Sequence, residues 1–228
     1  VNLLGDGDWQ YNGWLNPQGR ILALFYLLQA SSDHLCLILP ELPAHELIDS
    51  LLKYKLRAKV DLSLDKDIYV IGRFYSSKPD LPHEGLSQET LGLLKVNLFD
   101  DSINRTITLE SMKAEPDTDA LDLWHCLDIQ KGWIWLNETQ QNRWTPQMLS
   151  LERINAFSLK KGCYPGQEIV ARTHYLGKSK RSLLTVKGTG LQIDQPLTAS
   201  GQDFGVIVNT NSTGNFAAAV ISSDPPAG

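Results

Sequence analysis

Short apolar runs, each bounded by turn-forming residues, constrain the fold of this chain more than any other feature. Residues 21–28 and 35–39 are two such runs, and the Ser-Ser-Asp turn between them predicts a strand hairpin. At residues 47–56, by contrast, leucine and isoleucine recur every three or four positions with charged residues opposite, which predicts an amphipathic helix. Residues 60–64 and 68–74 again have the pattern of strands. A helix kept apart from largely antiparallel strands indicates an α+β domain.

The rest of the chain predicts further strands and two more helices. Asp117 or Thr118 can cap a short helix, and an exposed connection is expected at residues 76–88, which are rich in proline and polar residues. The short strands after residue 177 are divided by glycines, which indicates a small β-barrel or sandwich. The predicted domains are therefore an α+β body at residues 1–176 and a small C-terminal β-barrel at residues 177–228. The expected strands are residues 93–99, 103–109, 132–136, 183–186, 205–208 and 216–221.

Charge, cysteine spacing and hydropathy limit the cellular setting. A net charge of -5 argues against nucleic-acid binding over the whole surface, so any RNA role is expected to be indirect. Cys36, Cys126 and Cys163 form neither an even disulfide framework nor a CxxC pair, which fits a reducing cytoplasm. No run is long and apolar enough for a membrane helix, and no export signal is visible from Val1 onward. A soluble cytoplasmic monomer is expected, with no membrane partner.

Residues 161–168, Lys-Gly-Cys-Tyr-Pro-Gly-Gln-Glu, are the strongest candidate for chemistry. Gly162 and Gly166 bracket Cys163 and indicate a tight loop, because glycine permits positive φ and close backbone approach. A lone cysteine is more often a small buried apolar side chain, and that reading holds for the other two cysteines, which lie in apolar surroundings. The glycines and lysines around Cys163 favour a functional interpretation.

A helix is predicted at residues 167–175, with Pro165 suited to its first turn and Gly177 to its end. Cys163 would then lie at or just before the helix N-terminus. The positive end of the helix dipole and the two preceding lysines would favour the thiolate over the thiol. A reactive cysteine is the physical prediction.

The polar residues that follow have two interpretations each. Glu168 could accept hydrogen bonds from an amino-pyrimidine, or could simply complement the helix N-terminus and pair with Arg172 one turn later. His174 could carry a proton, or be an ordinary exposed residue. The basic cluster at residues 178–181 could attract a polyanionic tail, or be a solvated entry to a strand.

Several common site classes lack their sequence signals. The chain has no Walker-type loop, HExxH, GxSxG or CxxC pair, which removes the usual support for nucleotide hydrolysis, metalloprotease, serine hydrolase and zinc-ribbon functions. Three dispersed cysteines are too few for a resident cluster ligated only by cysteine. No metal site is predicted, and any iron-sulfur cluster involved would be held by another protein.

The cysteine run, continued through Arg181, resembles the signature of the YgfZ-type folate-binding proteins, distant relatives of the glycine-cleavage aminomethyltransferase. Two flanking stretches agree with that family in order and spacing, residues 15–22 and residues 146–152. The resemblance spans most of the chain. It places the start of the family's folate domain upstream of Val1, and with it the acidic residue expected near the reactive folate nitrogen.

The resemblance implies a folate-binding, aminomethyltransferase-like body with antiparallel sheets and packed helices, a C-terminal β-barrel, and tetrahydrofolate or a one-carbon derivative as cofactor. It makes Cys163 the residue most closely tied to activity. The cofactor-binding residues expected on this basis are Lys161, Tyr164, Gln167, Glu168 and Arg172.

Three functions follow from the resemblance. The leading one is a folate-binding accessory protein that supports iron-sulfur cluster assembly or repair and thereby tRNA methylthiolation, with iron-sulfur proteins or cluster-assembly factors as partners. The second is direct aminomethyl or methyl transfer involving tetrahydrofolate. The third is a folate-sensing scaffold without turnover, in which Cys163 is merely packed.

Overall fold

A computed structural model describes residues 4–75, 95–99, 103–159, 163–177 and 179–225. Its strands and helices confirm the predicted α+β class. The expected connection at residues 76–88 lies outside the described residues. Within those ranges no helix combines the length and the apolar character that crossing a bilayer requires. The chain forms two compact units: residues 1–10, 26–38 and 44–115 make the first, and residues 11–25, 39–43 and 116–228 make the second. The domain division at residue 176 stays a prediction.

A three-stranded sheet is formed by β1 (Trp9–Leu15), β2 (Ile21–Ser31) and β3 (His34–Ile38), in that order. The predicted hairpin is confirmed, because β2 and β3 pair antiparallel from Tyr26 opposite Ile38 to Ser31 opposite His34. The sequence analysis missed β1, whose apolar residues are interrupted by Asn12 and Gly13.

The first unit also contains α1 (Ala44–Leu52) and a second three-stranded sheet of β4 (Tyr69–Tyr75), β5 (Lys95–Phe99) and β6 (Asn104–Glu110). This sheet has the order β4-β6-β5, and β6 is paired antiparallel with both neighbours. Arg73 on β4 forms an ion pair with Glu110 of β6. The predicted strands are confirmed within one or two residues as β4, β5 and β6.

The predicted amphipathic helix is confirmed as α1 but is shorter at its C-terminal end, and one predicted strand in this unit is wrong. The helix predicted over residues 47–56 ends at Leu52, where Tyr54 and Lys55 donate to the carbonyls three residues back in a tight turn. Leu56 then has a φ of 44° and is 90% exposed. Residues 60–64 form no strand, and both Val60 and Leu64 are about half exposed, at 50% and 52%. An apolar run without a partner strand has no ladder to join, which a local pattern does not reveal.

The second unit contains α2 (Thr118–Lys131), whose start confirms the predicted cap. The Asp117 carboxylate accepts hydrogen bonds from the backbone N–H groups of Asp119 and Ala120, each at 3.0 Å. Residues 132–136 were predicted as a strand, and this is wrong. Ile134, Trp135 and Leu136 are buried, but the Trp135 N–H and C=O bond to the side chain of Asn209, at 3.1 and 2.8 Å, rather than to the backbone of a neighbouring strand.

The C-terminal part of this unit is a four-stranded antiparallel sheet of β7 (Arg181–Lys187), β8 (Pro196–Ala199), β9 (Gln202–Thr210) and β10 (Phe216–Ser222). The strand order in this sheet is β7-β10-β9-β8. Its central strand β10 is buried along almost its whole length, and α2 contacts both β10 and β9. The expected β-barrel is not confirmed, because among the described residues β7 and β8 remain two separate edges of an open sheet.

Candidate functional site

The three cysteines differ in exposure. Cys163 is exposed, whereas Cys36 and Cys126 are partly buried. Burial raises the pKa of the Cys36 thiol, and the nearby negative charge of Asp65 adds to the effect. The pKa of Cys126 is raised in the same way, by burial first and by Asp122 second, against an opposing hydrogen bond from Asn211. A thiolate is disfavoured at the two partly buried positions, so Cys163 is the cysteine best placed to meet a reactant.

Cys163 leads into α3 (Gln167–Leu176), which confirms the predicted helix. Gly166 is the capping residue, with a φ of 77°, and Cys163 lies three positions before it. Pro165 precedes the cap and is not part of the first helical turn. Gly177 ends the helix in an extended conformation, with a φ of -132°. The cysteine is therefore in the approach to a helix N-terminus, as expected, but the glycine rather than the proline begins the helix.

The start of α3 rests directly on a second glycine turn. A Cβ placed on Gly166 would lie 2.5 Å from the carbonyl oxygen of Asn16, 2.6 Å from Gly19 Cα and 2.7 Å from Gly19 N. Gly19 has a φ of 71°, and a Cβ placed there would lie 3.1 Å from Ile169 Cβ. Two backbone segments about 150 positions apart in the sequence thus pack so closely that Gly166 has no room for a Cβ and Gly19 has only a tight fit.

Hydrogen bonds fix the shape of the turn that carries Gly19. Asn16 accepts from the Arg20 N–H through Oδ1 at 2.9 Å and from the Gly19 N–H through its carbonyl at 3.0 Å. Its Nδ2 donates to Asn142 Oδ1 at 2.8 Å. The Arg20 guanidinium donates to the carbonyl of Arg143 at 2.7 Å. The turn is therefore held on one side by α3 and on the other by residues 142 and 143.

The segment after residue 143 also contacts α3. Gln147 Nε2 donates to the carbonyl of Val170 at 2.9 Å. Glu152 lies 3.4 Å from His174 Nδ1. The three stretches on which the family resemblance rests, residues 15–22, 146–152 and 161–181, consequently meet around α3.

The other predicted site residues have different environments. Lys161 lies outside the described residues. Tyr164 is partly buried, and burial raises the pKa of its hydroxyl. Gln167 is the first residue of α3 and donates its N–H to the Tyr164 carbonyl at 3.2 Å. Glu168 and Arg172 are both exposed on α3, and no ion pair joins them in the part of the chain that is described. Their assignment to cofactor binding stays a prediction.

Asp194 forms a polar cluster that the sequence analysis missed. Its carboxylate accepts from Thr139 Oγ1 at 2.7 Å and from Gln140 Nε2 at 3.2 Å, and it forms an ion pair with Arg143. Burial alone would raise the pKa of Asp194, but the three hydrogen bonds and the Arg143 charge outweigh it and lower the pKa. The cluster connects the loop after β7 to the segment that also holds the Gly19 turn.

We expect this cluster to make the protein sensitive to acid. Because the folded-state pKa of Asp194 is lowered, its stabilising contribution is complete above the unfolded pKa of about 4 and is lost as the pH falls through the lower, folded value. Asp194→Asn should therefore flatten the dependence of the free energy of unfolding on pH below about pH 4. Urea denaturation between pH 7 and the acid range would measure the effect. Asp203→Asn is the matched control, because Asp203 is an exposed residue on β9. Equal pH dependence of the free energy of unfolding in the two variants would contradict the role assigned to Asp194.

The missed contacts share one property: each joins residues distant in sequence through a side chain that is common in loops. Asn16, Asn142 and Gln147 carry no local pattern that indicates their partners. Gly19 and Gly166 gave the nearest signal in the sequence, since each stands in a turn-forming stretch. Glycine permits the positive φ that both residues adopt in the structure.

No protein-family model matches the sequence. Among curated proteins, a tRNA-modifying protein YgfZ of Colwellia psychrerythraea is 29% identical over 214 residues, which cover 86% of this chain and 64% of the relative. A tRNA-modifying protein YgfZ of Vibrio atlanticus is 30% identical over 191 residues, covering 78% of this chain and 58% of the relative. The chain thus spans less than two thirds of either relative.

A solved structure has a similar fold. The glycine cleavage system aminomethyltransferase T of Bartonella henselae matches with a TM-score of 0.55 over 96% of this chain and 69% of its own, at 15% sequence identity. That likeness shows an aminomethyltransferase-like fold. Together with the sequence matches, it confirms the resemblance: the chain is similar in sequence to YgfZ tRNA-modifying proteins and has a fold like that of aminomethyltransferase T.

Proposed function

We propose that this protein is a folate-binding accessory protein that supports iron-sulfur cluster assembly or repair in the cytoplasm, and through it the methylthiolation of tRNA. Its partners would be iron-sulfur proteins or cluster-assembly factors. The tRNA role is supported by the sequence similarity to YgfZ relatives, which are tRNA-modifying proteins. The folate role follows the fold shared with an aminomethyltransferase.

One observation carries the proposal: the exposed thiol of Cys163 stands next to an anchored helix start. The loop that bears it ends at Gly166, which packs on the Gly19 turn at distances that leave no space for a Cβ. A nucleophile or sulfur carrier must combine access with a fixed position, because a misplaced group loses most of its rate advantage. Cys163 is accessible, and Gly166, three positions later, is held in place by its packing on the Gly19 turn.

The side chains around this loop fit a folate. The Glu168 carboxylate is exposed at the first turn of α3 and can accept two hydrogen bonds from an amino-pyrimidine edge. Tyr164 offers an aromatic ring in a partly buried position, suited to a flat heterocycle. Arg172, one turn beyond Glu168, can pair with the carboxylates of a glutamyl tail. Tetrahydrofolate, when bound, supplies one-carbon chemistry, and Cys163 would handle sulfur, iron or a one-carbon fragment beside it.

A second function, aminomethyl or methyl transfer, is favoured by the fold match alone. It requires turnover of an aminomethyl donor, which an accessory protein would not show. A folate-sensing scaffold is a third possibility, and it predicts that Cys163 can be replaced without loss.

Titration of tetrahydrofolate against the purified chain tests the folate step. We expect saturable binding, followed by tryptophan fluorescence, and a loss of affinity of roughly tenfold for Glu168→Gln, since hydrogen bonds to a charged group are worth about 1.5 to 3 kcal/mol. Glu138→Gln is the matched control, because Glu138 is an exposed acid on the 3-10 turn Glu138–Gln140, remote in sequence from α3.

Absence of binding at millimolar tetrahydrofolate would reject both the accessory and the transferase functions. If Glu168→Gln and Glu138→Gln weaken tetrahydrofolate binding equally, Glu168 does not contact the ligand. Folate binding itself would still be supported. Multiple turnovers of an aminomethyl donor would select the transferase.

A further inference from the structure

Positive charge is concentrated in one part of a chain that is acidic overall. Residues 153–181 contain seven of the 21 lysines and arginines but one of the 26 acidic residues, Glu168. The whole chain has a net charge of -5. Binding to a polyanion depends on the local patch that faces it, and a patch of this sign can act within an acidic protein.

Contacts within the second unit bring together the elements that carry this segment's described cations. Ser150 Oγ accepts a hydrogen bond from the Leu183 N–H at 3.1 Å, which brings the start of β7 to the 3-10 helix Leu151–Ile154. Glu152 of that 3-10 helix lies 3.4 Å from His174 on α3. Three short elements therefore converge, and each one carries exposed cations. These are Arg153 on the 3-10 helix, Arg172 on α3, and Lys180 and Arg181 at the start of β7.

An exposed aromatic ring stands among these cations. Tyr175 is 70% exposed and lies three positions after Arg172, so the two side chains share a face of α3. Its ring contacts His174 edge-on, with centroids 4.8 Å apart. Three acidic residues lie near these cations: Glu152, 3.4 Å from His174; Glu168, one turn before Arg172 and two turns before Tyr175; and Asp224, which follows Ser223, whose N–H donates to the Lys180 carbonyl.

We propose that this basic surface, formed by Arg153, Arg172, Tyr175, Lys180 and Arg181, binds single-stranded RNA. Guanidinium groups recognise phosphates in a bidentate manner, and an exposed tyrosine ring provides a stacking platform for a base. The inference departs from the indirect RNA role expected from net charge, because that expectation averaged the charge over the whole chain. The surface shares Arg172 with the proposed folate site, but its other residues and the variants that test it depend neither on that site nor on Cys163.

An acidic protein is the competing partner, because Leu176 beside Tyr175 is 83% exposed. The arginines favour RNA, since three of the four cations are guanidinium groups, which match phosphate geometry better than ammonium groups do. The two partners differ in what they require of Tyr175.

Fluorescence anisotropy with a labelled single-stranded RNA of about 12 nucleotides tests the proposal on the full chain. If four phosphates are neutralised, affinity should fall about 50-fold between about 50 mM and about 200 mM salt. Tyr175→Ala should weaken binding about tenfold and Tyr175→Phe should restore it, because phenylalanine keeps the stacking face. Arg181→Gln should lower both the affinity and the salt dependence.

Lys187→Gln is the matched control. Lys187 ends β7 opposite Phe216, whereas Arg181 begins it opposite Ser222, so the same charge is removed about 20 Å away along one strand. Unchanged RNA binding in Lys187→Gln, with losses in the other variants, supports the proposal. Equal losses in Lys187→Gln and Arg181→Gln would show unspecific attraction and overturn it. Competition by a polyglutamate peptide as effective as RNA, with no effect of Tyr175→Ala, would also overturn it in favour of an acidic protein partner.

Discussion

Replacing Gly166 with alanine is expected to lower the free energy of unfolding by about 4 kcal/mol. A residue with a Cβ at positive φ costs about 1 to 2 kcal/mol, and forcing an atom into a filled site costs about 1 to 3 kcal/mol more. Both terms apply here, since Gly166 has a φ of 77° and its Cβ would lie 2.5 Å from the Asn16 carbonyl oxygen. Urea denaturation followed by tryptophan fluorescence would measure the loss.

Gly201 separates the two contributions. It has a φ of 75°, almost that of Gly166, but no atom lies within 4 Å of a Cβ placed on it. Gly201→Ala should therefore cost only the conformational term, about 1 kcal/mol. The difference between the two variants reports the contact between the Gly19 turn and the start of α3. Similar losses for both variants would mean that the turn moves aside easily and that the anchoring of the Cys163 loop is weak.

The sequence could predict the elements that local chemistry determines. The β2-β3 hairpin, the Asp117 cap of α2 and the start of α3 were all predicted, because each depends on residues a few positions apart. The failures have the opposite character. Residues 60–64 have the composition of a strand but no partner strand. In residues 132–136, the backbone N–H and C=O of Trp135 bond to the Asn209 side chain, 74 positions away.

The candidate site follows the same rule. Cys163 was selected from its own neighbours, the bracketing glycines and the helix that follows. The helix α3 that follows Cys163 is contacted by the Gly19 turn at Gly166, by Gln147 at Val170 and by Glu152 at His174. These contacts join residues that are 22 to about 150 positions apart in the sequence, and no periodicity encodes such pairings. The family resemblance named two of these stretches without giving the reason for their presence. The structure supplies a reason: they hold the start, the middle and the end of α3.

Cys163→Ser is expected to abolish support of tRNA methylthiolation in bacteria that lack their own YgfZ protein, while leaving the free energy of unfolding within about 0.5 kcal/mol of the parent. The stability expectation rests on exposure, because an exposed thiol has few packing contacts to lose. The functional expectation rests on the thiol as the reacting group, which a hydroxyl replaces in shape but not in nucleophilicity or metal affinity. Methylthiolated nucleosides in digested tRNA, quantified by mass spectrometry, provide the readout.

Cys126→Ala is the matched control, and iodoacetamide labelling of the parent chain gives an independent check. Burial raises the pKa of Cys36 and of Cys126, so each carries less thiolate near neutral pH and should be alkylated more slowly than Cys163. Tetrahydrofolate should slow the labelling of Cys163 alone if the thiol faces the bound folate. A Cys163→Ser variant that still sustains methylthiolation would reduce Cys163 to a structural residue and leave the scaffold function, whereas a loss in Cys126→Ala equal to that in Cys163→Ser would trace the defect to folding.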